Sequence, residues 1–370
     1  MAIKLKPLHK QVMLITGASS GIGLTTARLA AEQGAKVILV SRNQGALDQA
    51  VREIQEAGGE AFAATADVGN LDQLRRAAEA GRTHFGTIDT WVNNAGVSVI
   101  GKIDQVSVED DRRLFETNFW GVVNGSRIAA EMLKDTGGAL INVGSELSEV
   151  SIPLQGMYSA SKHAVLGFTD AFRMELEADK MPISVTTIKP AGMDTPYMRH
   201  AKNYTDKEPT LPAPVYAPEL AAQQILHAAT TPVRDLYVGG AARLMSALGR
   251  HFPEWMDWFM EKTMIGQQQT DRPADRSNEG LGESRGGHSE RGDASRDHNV
   301  RETSTYNFFS RNATLVTVAA GVVSAVVAYL VLKPAADDES PTKRYLRENL
   351  RDPLGRVADT ARSRIEEYLR

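Results

Sequence analysis

The sequence predicts a doubly wound α/β domain, and two observations lead to this fold class. Short apolar runs alternate with longer segments of helical periodicity between residues 11 and 240. The runs are nearly continuous in apolar character and rich in β-branched residues, which suits strands that are buried on both faces of a parallel sheet. Strand–helix alternation at this spacing is typical of βαβ units.

Seven apolar runs are predicted to form strands. They are QVMLIT (11–16), KVILV (36–40), AFAATA (61–66), TWVNNA (90–95), ALINVG (139–144), ISVTTI (183–188) and LYVGG (236–240). The segments with helical periodicity between them are 21–33, 45–57, 71–85, 108–133 and 157–178.

Composition excludes several classes of function. The 370 residues include 42 basic and 46 acidic side chains, for a net charge of -4, so we expect no nucleic-acid partner. The absence of cysteine excludes disulfides, thiol catalysis and cysteine-ligated metals. His, Asp and Glu show no metal-ligand spacing, so we expect no metal. No long apolar stretch precedes the first strand, so we expect no secretory signal.

Composition also divides the chain after residue 265. We expect residues 1–265 to form the α/β domain. Residues 266–312 are rich in Gly, Ser, Arg, Asp and Glu, and between positions 267 and 307 the only large aliphatic residues are Leu281 and Val300. So little apolar surface cannot offset the entropy of ordering, and we therefore expect a disordered linker.

Residues 313–332 form a run of twenty residues without a charge. A helix of this length crosses a bilayer core of about 30 Å, so we expect a transmembrane helix, with a buried core helix as the alternative. Small residues at every fourth position (Ala313, Thr317, Gly321 and Ala325) would permit close pairing of such helices. Residues 333–370 are predicted to form an amphipathic tail that lies on anionic lipid, binds a partner or is simply solvated.

The expected location is therefore a membrane, with the α/β domain on the cytoplasmic side. The Lys and Arg residues that follow the span outnumber those that precede it, and this charge bias alone would place the tail inside. The orientation of the tail thus stays open.

The pentapeptide YSASK (158–162) places a phenol and an ammonium group four residues apart. On a helix these positions share a face, and a nearby cation favours the phenolate form of a tyrosine whose ordinary pKa is about 10. Such a pair can transfer a proton near neutral pH. The alternative is an ordinary pair on a helix surface.

A glycine-rich turn, TGASSGIG (16–23), follows the first predicted strand and opens the first predicted helix. Glycines at this place let the backbone approach a pyrophosphate, which the helix N-terminus stabilises. The spacing is GxxxGxG and differs from the GxGxxG dinucleotide fingerprint.

Five motifs along the chain resemble those of the short-chain dehydrogenase/reductase family, and the resemblance covers roughly residues 8 to 265. TGxxxGIG stands at 16–23 and NNAG at 93–96. A serine, Ser145, stands thirteen residues before the tyrosine of the YxxxK motif, and Asn118 lies in ETNFWG. The resemblance implies a Rossmann-type fold and a catalytic set of Asn118, Ser145, Tyr158 and Lys162.

The resemblance also implies the role of each catalytic residue. Tyr158 would donate the proton to a carbonyl oxygen that receives a hydride, and Ser145 would hydrogen-bond the same oxygen. Lys162 would lower the pKa of the phenol and hold the nicotinamide ribose, and Asn118 would help to hold a water that links Lys162 to solvent. The cofactor-binding residues implied are Gly17, Ser19, Ser20, Gly21, Ile22, Gly23, Ser41, Arg42, Asp67, Val68, Asn94, Ala95, Gly96, Tyr158, Lys162, Pro190 and Thr195.

The end of the second strand predicts the choice of cofactor. An acidic residue there would accept the ribose hydroxyls of NAD, whereas this chain has Ser41 and Arg42. Because Arg42 can pair with a 2′-phosphate, we expect NADP(H) to be preferred over NAD(H); the alternative is a solvated surface arginine. The chain departs from the family at Ala191, where a glycine normally follows the proline, and at Gly144, where the family often has serine.

We therefore predict an NADP(H)-dependent oxidoreductase that interconverts a carbonyl and a secondary alcohol, with a lipophilic small-molecule substrate. Substrate selectivity is expected from a proline-rich lid (197–216) and from residues 251–266, which either pack on the domain or form an amphipathic lip at the membrane. The alternatives are a non-catalytic nucleotide-sensing scaffold and an NAD-linked alcohol dehydrogenase. By resemblance we expect a homo-oligomer that is formed through the helices at 108–133 and 157–178.

Overall fold

A seven-stranded parallel sheet lies at the centre of the computed structural model, which describes residues 3–277, 279–282 and 288–312. The strands of this sheet are β1 (Val12–Thr16), β2 (Lys36–Ser41), β3 (Glu60–Thr65), β4 (Thr90–Asn93), β6 (Gly138–Val143), β7 (Ile183–Pro190) and β10 (Asp235–Val238). Four short strands pair outside it: β5 (Val99–Ile100) with β8 (Lys202–Asn203), and β9 (Lys207–Pro209) with β11 (Gln269–Pro273).

Helices cover both faces of the sheet. They are α1 (Gly21–Glu32), α2 (Gln44–Glu56), α3 (Leu71–Phe85), α4 (Val108–Phe115), α5 (Gly121–Leu133), α6 (Gly156–Ala178), α7 (Tyr197–His200), α8 (Pro218–Thr230), α9 (Gly240–His251), α10 (Pro253–Gln267) and α11 (Thr305–Arg311). All seven predicted strands and the predicted helices up to residue 178 are present, with ends that shift by a few residues at most.

The strand order is β3-β2-β1-β4-β6-β7-β10, and every neighbouring pair is parallel. The strand order changes direction at β1, with β2 and β3 on one side and β4, β6, β7 and β10 on the other. In open α/β sheets, ligands bind at such a switch point, outside the carboxyl ends of the strands. The predicted doubly wound, Rossmann-type sheet is thereby confirmed.

The core lies on both faces of the sheet because successive side chains of a strand point in opposite directions. Met13 and Ile15 of β1 pack in a cluster with Leu24 of α1, whereas Leu14 packs on the opposite face with Trp91. All five side chains are completely buried. This double burial explains why the strands read as continuous apolar runs in the sequence.

The predicted helix over 108–133 is interrupted in the structure. A π-helical segment, Glu116–Trp120, joins α4 to α5. The wider turn of a π segment accommodates an extra residue and often marks a functional site. Here it carries Asn118, whose side chain is completely buried.

The structure contradicts the predicted disorder wherever it describes residues 266–312. The first compact unit extends to Asn307, past the domain boundary predicted at 265. Strand β11 pairs with β9, and the N–H of Gly21 donates to the Ser289 carbonyl at 2.8 Å. Ion pairs such as Arg291–Glu219 and Arg272–Asp297 add further anchors. Backbone hydrogen bonds and charged pairs, together with a few buried apolar side chains such as Leu281, hold the segment.

We name residues 279–282 and 288–294 the C-terminal strap because they cross the carboxyl edge of the sheet. Leu281 is 3% exposed and shares an apolar cluster with Val99 and Leu114. Ala294 donates its N–H to the Asp194 carboxylate at 3.1 Å. The strap thus contacts the same edge at which ligands bind in this fold class.

The two other segments named for substrate selectivity are also structured. The predicted proline-rich lid contains α7, β8 and β9. Helix α10 buries Met256, Met260 and Met264 against Leu147 and its neighbours, while Trp255 and Trp258 on its other side are about half exposed, at 46% and 56%.

The predicted transmembrane helix (313–332) and amphipathic tail (333–370) lie outside the described residues. Among the helices that are described, none combines the length and apolar character needed to cross a bilayer. The second compact unit, Phe308–Arg370, is described only over residues 308–312.

Gly81 of α3 tests the packing of this helix on the sheet. A Cβ at this position would lie 2.6 to 2.9 Å from three carbons of the Ile38 side chain. We expect Gly81→Ala to lower the free energy of unfolding by about 1–3 kcal/mol through overpacking, as measured by urea denaturation. Gly167→Ala in α6, where the added Cβ has nothing within 4 Å, is the matched control and should raise stability by up to about 1 kcal/mol. Equal effects of the two substitutions would contradict this account.

Candidate functional site

A cavity of about 280 Å³ lies at the carboxyl edge of the sheet. One end is lined by Ser41 and Arg42 after β2, together with Asp67 and Val68 after β3. The other end is lined by Ser145, Tyr158 and Lys162. The cavity therefore joins the two groups of residues that the sequence predicts to bind and to use a cofactor.

Glycines shape the middle of the cavity at the turn between β1 and α1. Gly17 has a φ of +66°, and a Cβ there would lie 2.8 Å from the Cα of Ala95. A Cβ on Gly23 would lie 2.3 Å from the Gly17 carbonyl oxygen. Gly23 thus permits close packing within the turn, while Gly17, Gly21 and their neighbours line the cavity.

Hydrogen bonds fix the loop after β4 beside this turn. The hydroxyl of Thr16 accepts the N–H groups of Asn94 (3.0 Å) and Ala95 (3.1 Å). The Asn94 amide donates to the Thr16 carbonyl at 3.0 Å. The motif at 93–96 therefore sets the position of one cavity wall relative to β1.

Asn118 lies behind the cavity and connects three segments of the site through hydrogen bonds. Its Oδ1 accepts the N–H of Val97 at 2.8 Å, and its Nδ2 donates to the Val97 carbonyl at 3.0 Å and to the Ser161 hydroxyl at 3.2 Å. The side chain connects the π segment to the loop after β4 and to α6. It does not itself line the cavity.

Lys162 is a buried cation at the reactive end. It is 4% exposed, and its Nζ donates to the Val143 carbonyl at 2.9 Å. No carboxylate within the described ranges forms an ion pair with it. Burial without such a partner lowers the pKa of Lys162 to about 8, because the charged form loses its hydration.

Tyr158 lies one helical turn before Lys162, and the lysine Nζ is 5.7 Å from the centroid of its ring. Ser145 and Tyr158 line the same end of the cavity. Burial raises the pKa of Tyr158, and the neighbouring Tyr197 and Ser145 side chains only partly oppose this. In this structure desolvation of the phenolate outweighs the lowering expected from Lys162, so the pKa of Tyr158 is raised overall.

Ser145 is held by a short capping box. Its Oγ accepts the N–H of Leu147 at 3.0 Å, and its own N–H donates to the Ser148 hydroxyl at 3.1 Å. This arrangement fixes the serine at the end of β6 with its hydroxyl beside Tyr158. Gly144 precedes it, and a Cβ at Gly144 would lie 2.9 Å from the same Ser148 hydroxyl.

Sequence analysis missed two polar residues at the reactive end. Tyr197 of α7 packs edge to face on Tyr158, and their ring centroids are 5.6 Å apart. Glu146 lines the cavity next to Ser145, and burial raises its pKa to about 7. Neither residue belongs to a motif, and only their positions next to Ser145 and shortly after Thr195 point to the site.

The structure places nearly all of the predicted site residues along this cavity. Those that line it are Gly17, Ser19, Ser20, Gly21, Ile22, Ser41, Arg42, Asp67, Val68, Asn94, Ala95, Gly96, Ser145, Tyr158, Lys162, Pro190 and Thr195. Gly23 and Asn118 lie behind it. The family departure at Ala191 is accommodated, since this residue also lines the cavity and donates its N–H to the Val238 carbonyl at 3.1 Å.

Metal-ligating side chains do not gather at the site. Over residues 3–277, 279–282 and 288–312, no group of three or more His, Asp and Glu side chains is arranged to hold a metal ion. His163, next to Lys162, has its Nδ1 2.9 Å from the Ser159 carbonyl one turn earlier.

Two solved structures are similar in fold. A short-chain dehydrogenase/reductase from Burkholderia phymatum in complex with NAD aligns with a TM-score of 0.60 at 24% identity, over 72% of this chain and 98% of its own. An alcohol dehydrogenase from the archaeon Thermococcus sibiricus, complexed with 5-hydroxy-NADP, aligns with a TM-score of 0.54 at 26% identity, over 61% and 95%.

Sequence comparison extends the similarity over most of the chain. The uncharacterized oxidoreductase YxnA of Bacillus subtilis is 43% identical over 335 residues, which are 90% of this chain and 93% of that protein. The putative oxidoreductase SadH of Mycobacterium tuberculosis is 31% identical over 252 residues, or 65% and 90%. The short chain dehydrogenase family model matches residues 11–206. The chain belongs to the short-chain dehydrogenase family and is an oxidoreductase that acts on CH–OH groups.

Proposed function

We propose that the protein is an NADP(H)-dependent oxidoreductase that interconverts a carbonyl and a secondary alcohol, with Tyr158 as general acid and base. The observation that carries this proposal is the meeting of Ser145, Tyr158 and Lys162 at one end of a cavity that has Arg42 at its other end. Solved relatives of similar fold hold NAD or 5-hydroxy-NADP, which supports a nicotinamide cofactor in this chain.

The residues along the cavity fit such a cofactor. The glycine turn at 17–21 would receive the pyrophosphate, Asp67 and Val68 would contact the adenine, and Pro190 and Thr195 would flank the nicotinamide. When bound, the nicotinamide would supply or accept the hydride.

The side chains at the reactive end would handle the proton. Tyr158 would give its hydroxyl proton to the substrate oxygen during reduction, and Ser145 would hydrogen-bond that oxygen. The Lys162 ammonium would stabilise the phenolate that remains. Asn118 would hold α6, the helix that carries Tyr158 and Lys162, through its hydrogen bond to Ser161.

Arg42 supports the preference for NADP(H). The position after β2 that carries a carboxylate in NAD-dependent relatives of this fold is occupied by Ser41 and Arg42. Arg42 faces the cavity, where its guanidinium could pair with a 2′-phosphate in a bidentate manner.

A lipophilic substrate is supported by the apolar residues around the reactive end. The cavity is lined there by Leu147, Ile152, Met193, Tyr197 and Leu211. We propose a membrane location on sequence grounds alone, from the uncharged run at 313–332.

We also propose a homo-oligomer. Trp120, at the end of the π segment, is 44% exposed and Met174 of α6 is 60% exposed, and large apolar side chains on these long helices favour burial between subunits.

Replacement of the general acid tests the proposed reaction. We expect Tyr158→Phe to lower kcat for reduction of lipophilic ketones by about a hundredfold to ten-thousandfold, the range for general acid catalysis, while NADPH still binds. Steady-state kinetics of the full chain with NADPH measure the loss. Tyr237→Phe, which also removes one phenolic hydroxyl but lies outside the cavity lining, is the control and should keep full activity. Undiminished turnover in Tyr158→Phe would rule out the proposed role.

Cofactor selectivity tests Arg42. We expect Arg42→Asp to lower the ratio of kcat/KM for NADPH to that for NADH by at least about tenfold, because the carboxylate repels a 2′-phosphate and accepts ribose hydroxyls. The matched control is Arg52→Asp, which makes the same charge change on the exposed side of α2. An unchanged ratio in Arg42→Asp would remove this residue from the account and favour an NAD-linked enzyme.

A further inference from the structure

We infer that Arg113 of α4 is a second specificity-determining residue, which binds the 2′-phosphate of NADP(H) together with Arg42. The inference deepens the proposed function and rests on it. Arg113 belongs to none of the motifs that identify the family in this sequence.

The two arginines converge on the same short piece of the C-terminal strap. Arg42 donates from Nη2 to the Gly280 carbonyl at 2.8 Å and from Nη1 to the Gly282 carbonyl at 3.1 Å. Arg113 donates from Nη2 to the Gly282 carbonyl at 2.7 Å and from Nε to the Leu281 carbonyl at 3.1 Å. Two guanidinium groups from distant parts of the chain therefore share one acceptor oxygen.

Neutral carbonyls satisfy the hydrogen bonds of this pair without neutralising its charge. Burial lowers the pKa of Arg42, the nearby Asp67 carboxylate opposes this shift, and the positive charge of Arg113 lowers the pKa further. The two cations thus repel each other. A phosphate monoester, with three acceptor oxygens and close to two negative charges, would compensate both cations at once.

The surrounding elements hold Arg42 at the end of the cavity where the adenosine would lie, and they hold Arg113 beside Arg42. Arg42 follows β2 and lines the cavity beside Asp67. Arg113 stands in the last turn of α4, next to Leu114, whose side chain packs in one cluster with Leu281. Because the buried Leu281 side chain positions the strap, the carbonyls of 280–282 occupy the acceptor positions that phosphate oxygens would take over.

Two adenine nucleotides that differ only in the 2′-phosphate test the inference. Isothermal titration of the full chain with 2′,5′-ADP and with 5′-ADP would isolate the contribution of this group. We expect Arg113→Ala to weaken binding of 2′,5′-ADP by about tenfold, the effect of losing charge-assisted hydrogen bonds, and to leave 5′-ADP within about twofold. Arg112→Ala, which removes the same charge from an exposed neighbour on α4, should leave both affinities unchanged.

Three results would overturn the inference. Equal weakening of both nucleotides in Arg113→Ala would mean that Arg113 only anchors the strap. Loss of discrimination in Arg42→Ala but not in Arg113→Ala would keep the proposed NADP(H) preference and exclude Arg113. Equal affinity of the wild-type chain for the two nucleotides would contradict the NADP(H) proposal itself.

Discussion

The arrangement of the site depends on one buried cation, the ammonium of Lys162. It lies at the carboxyl end of the sheet, 4% exposed, with a hydrogen bond to the carbonyl of Val143. Burial of a charge costs free energy unless hydrogen bonds or an opposite charge compensate for the lost hydration. The end of β6 supplies the acceptor, and α6 places the Tyr158 phenol one turn away, so the strand and the helix must keep their relative position for either residue to act.

Asn118 is the second constraint, and it shows how the fold uses an irregular helix. The helix over 108–133 is interrupted by a π segment that carries Asn118. From this segment the buried amide hydrogen-bonds Val97 and Ser161. Ser161 precedes Lys162 directly. The amide thus joins the loop that carries NNAG to the helix that carries Tyr158 and Lys162, and it acts through position rather than through contact with the cavity.

The sequence was sufficient for the sheet and for most of the site. Strands buried on both faces leave an unmistakable apolar run, and the site residues follow strand ends or sit within short local motifs. No predicted helix corresponds to α8 or α9, and the composition of 266–312 predicts disorder. That prediction follows from the low apolar content of the segment, but contacts such as the hydrogen bond from Gly21 to Ser289 and the ion pair between Arg291 and Glu219 hold it in place. Tyr197 reaches the site through a tertiary contact with Tyr158 that no local pattern records.

The pH dependence of carbonyl reduction is the most direct test of the central role of Lys162. The pKa of about 8 means that its charge is lost as pH rises through that value, and with it the cation that stabilises the Tyr158 phenolate in the proposed reaction. The measurement is kcat/KM for reduction with NADPH against pH, in the full chain and in Lys162→Met. We expect a fall in activity above about pH 8 in the wild type and no such fall in the residual activity of the variant. A wild-type profile that is flat through this range, or the same fall in Lys162→Met, would contradict the account.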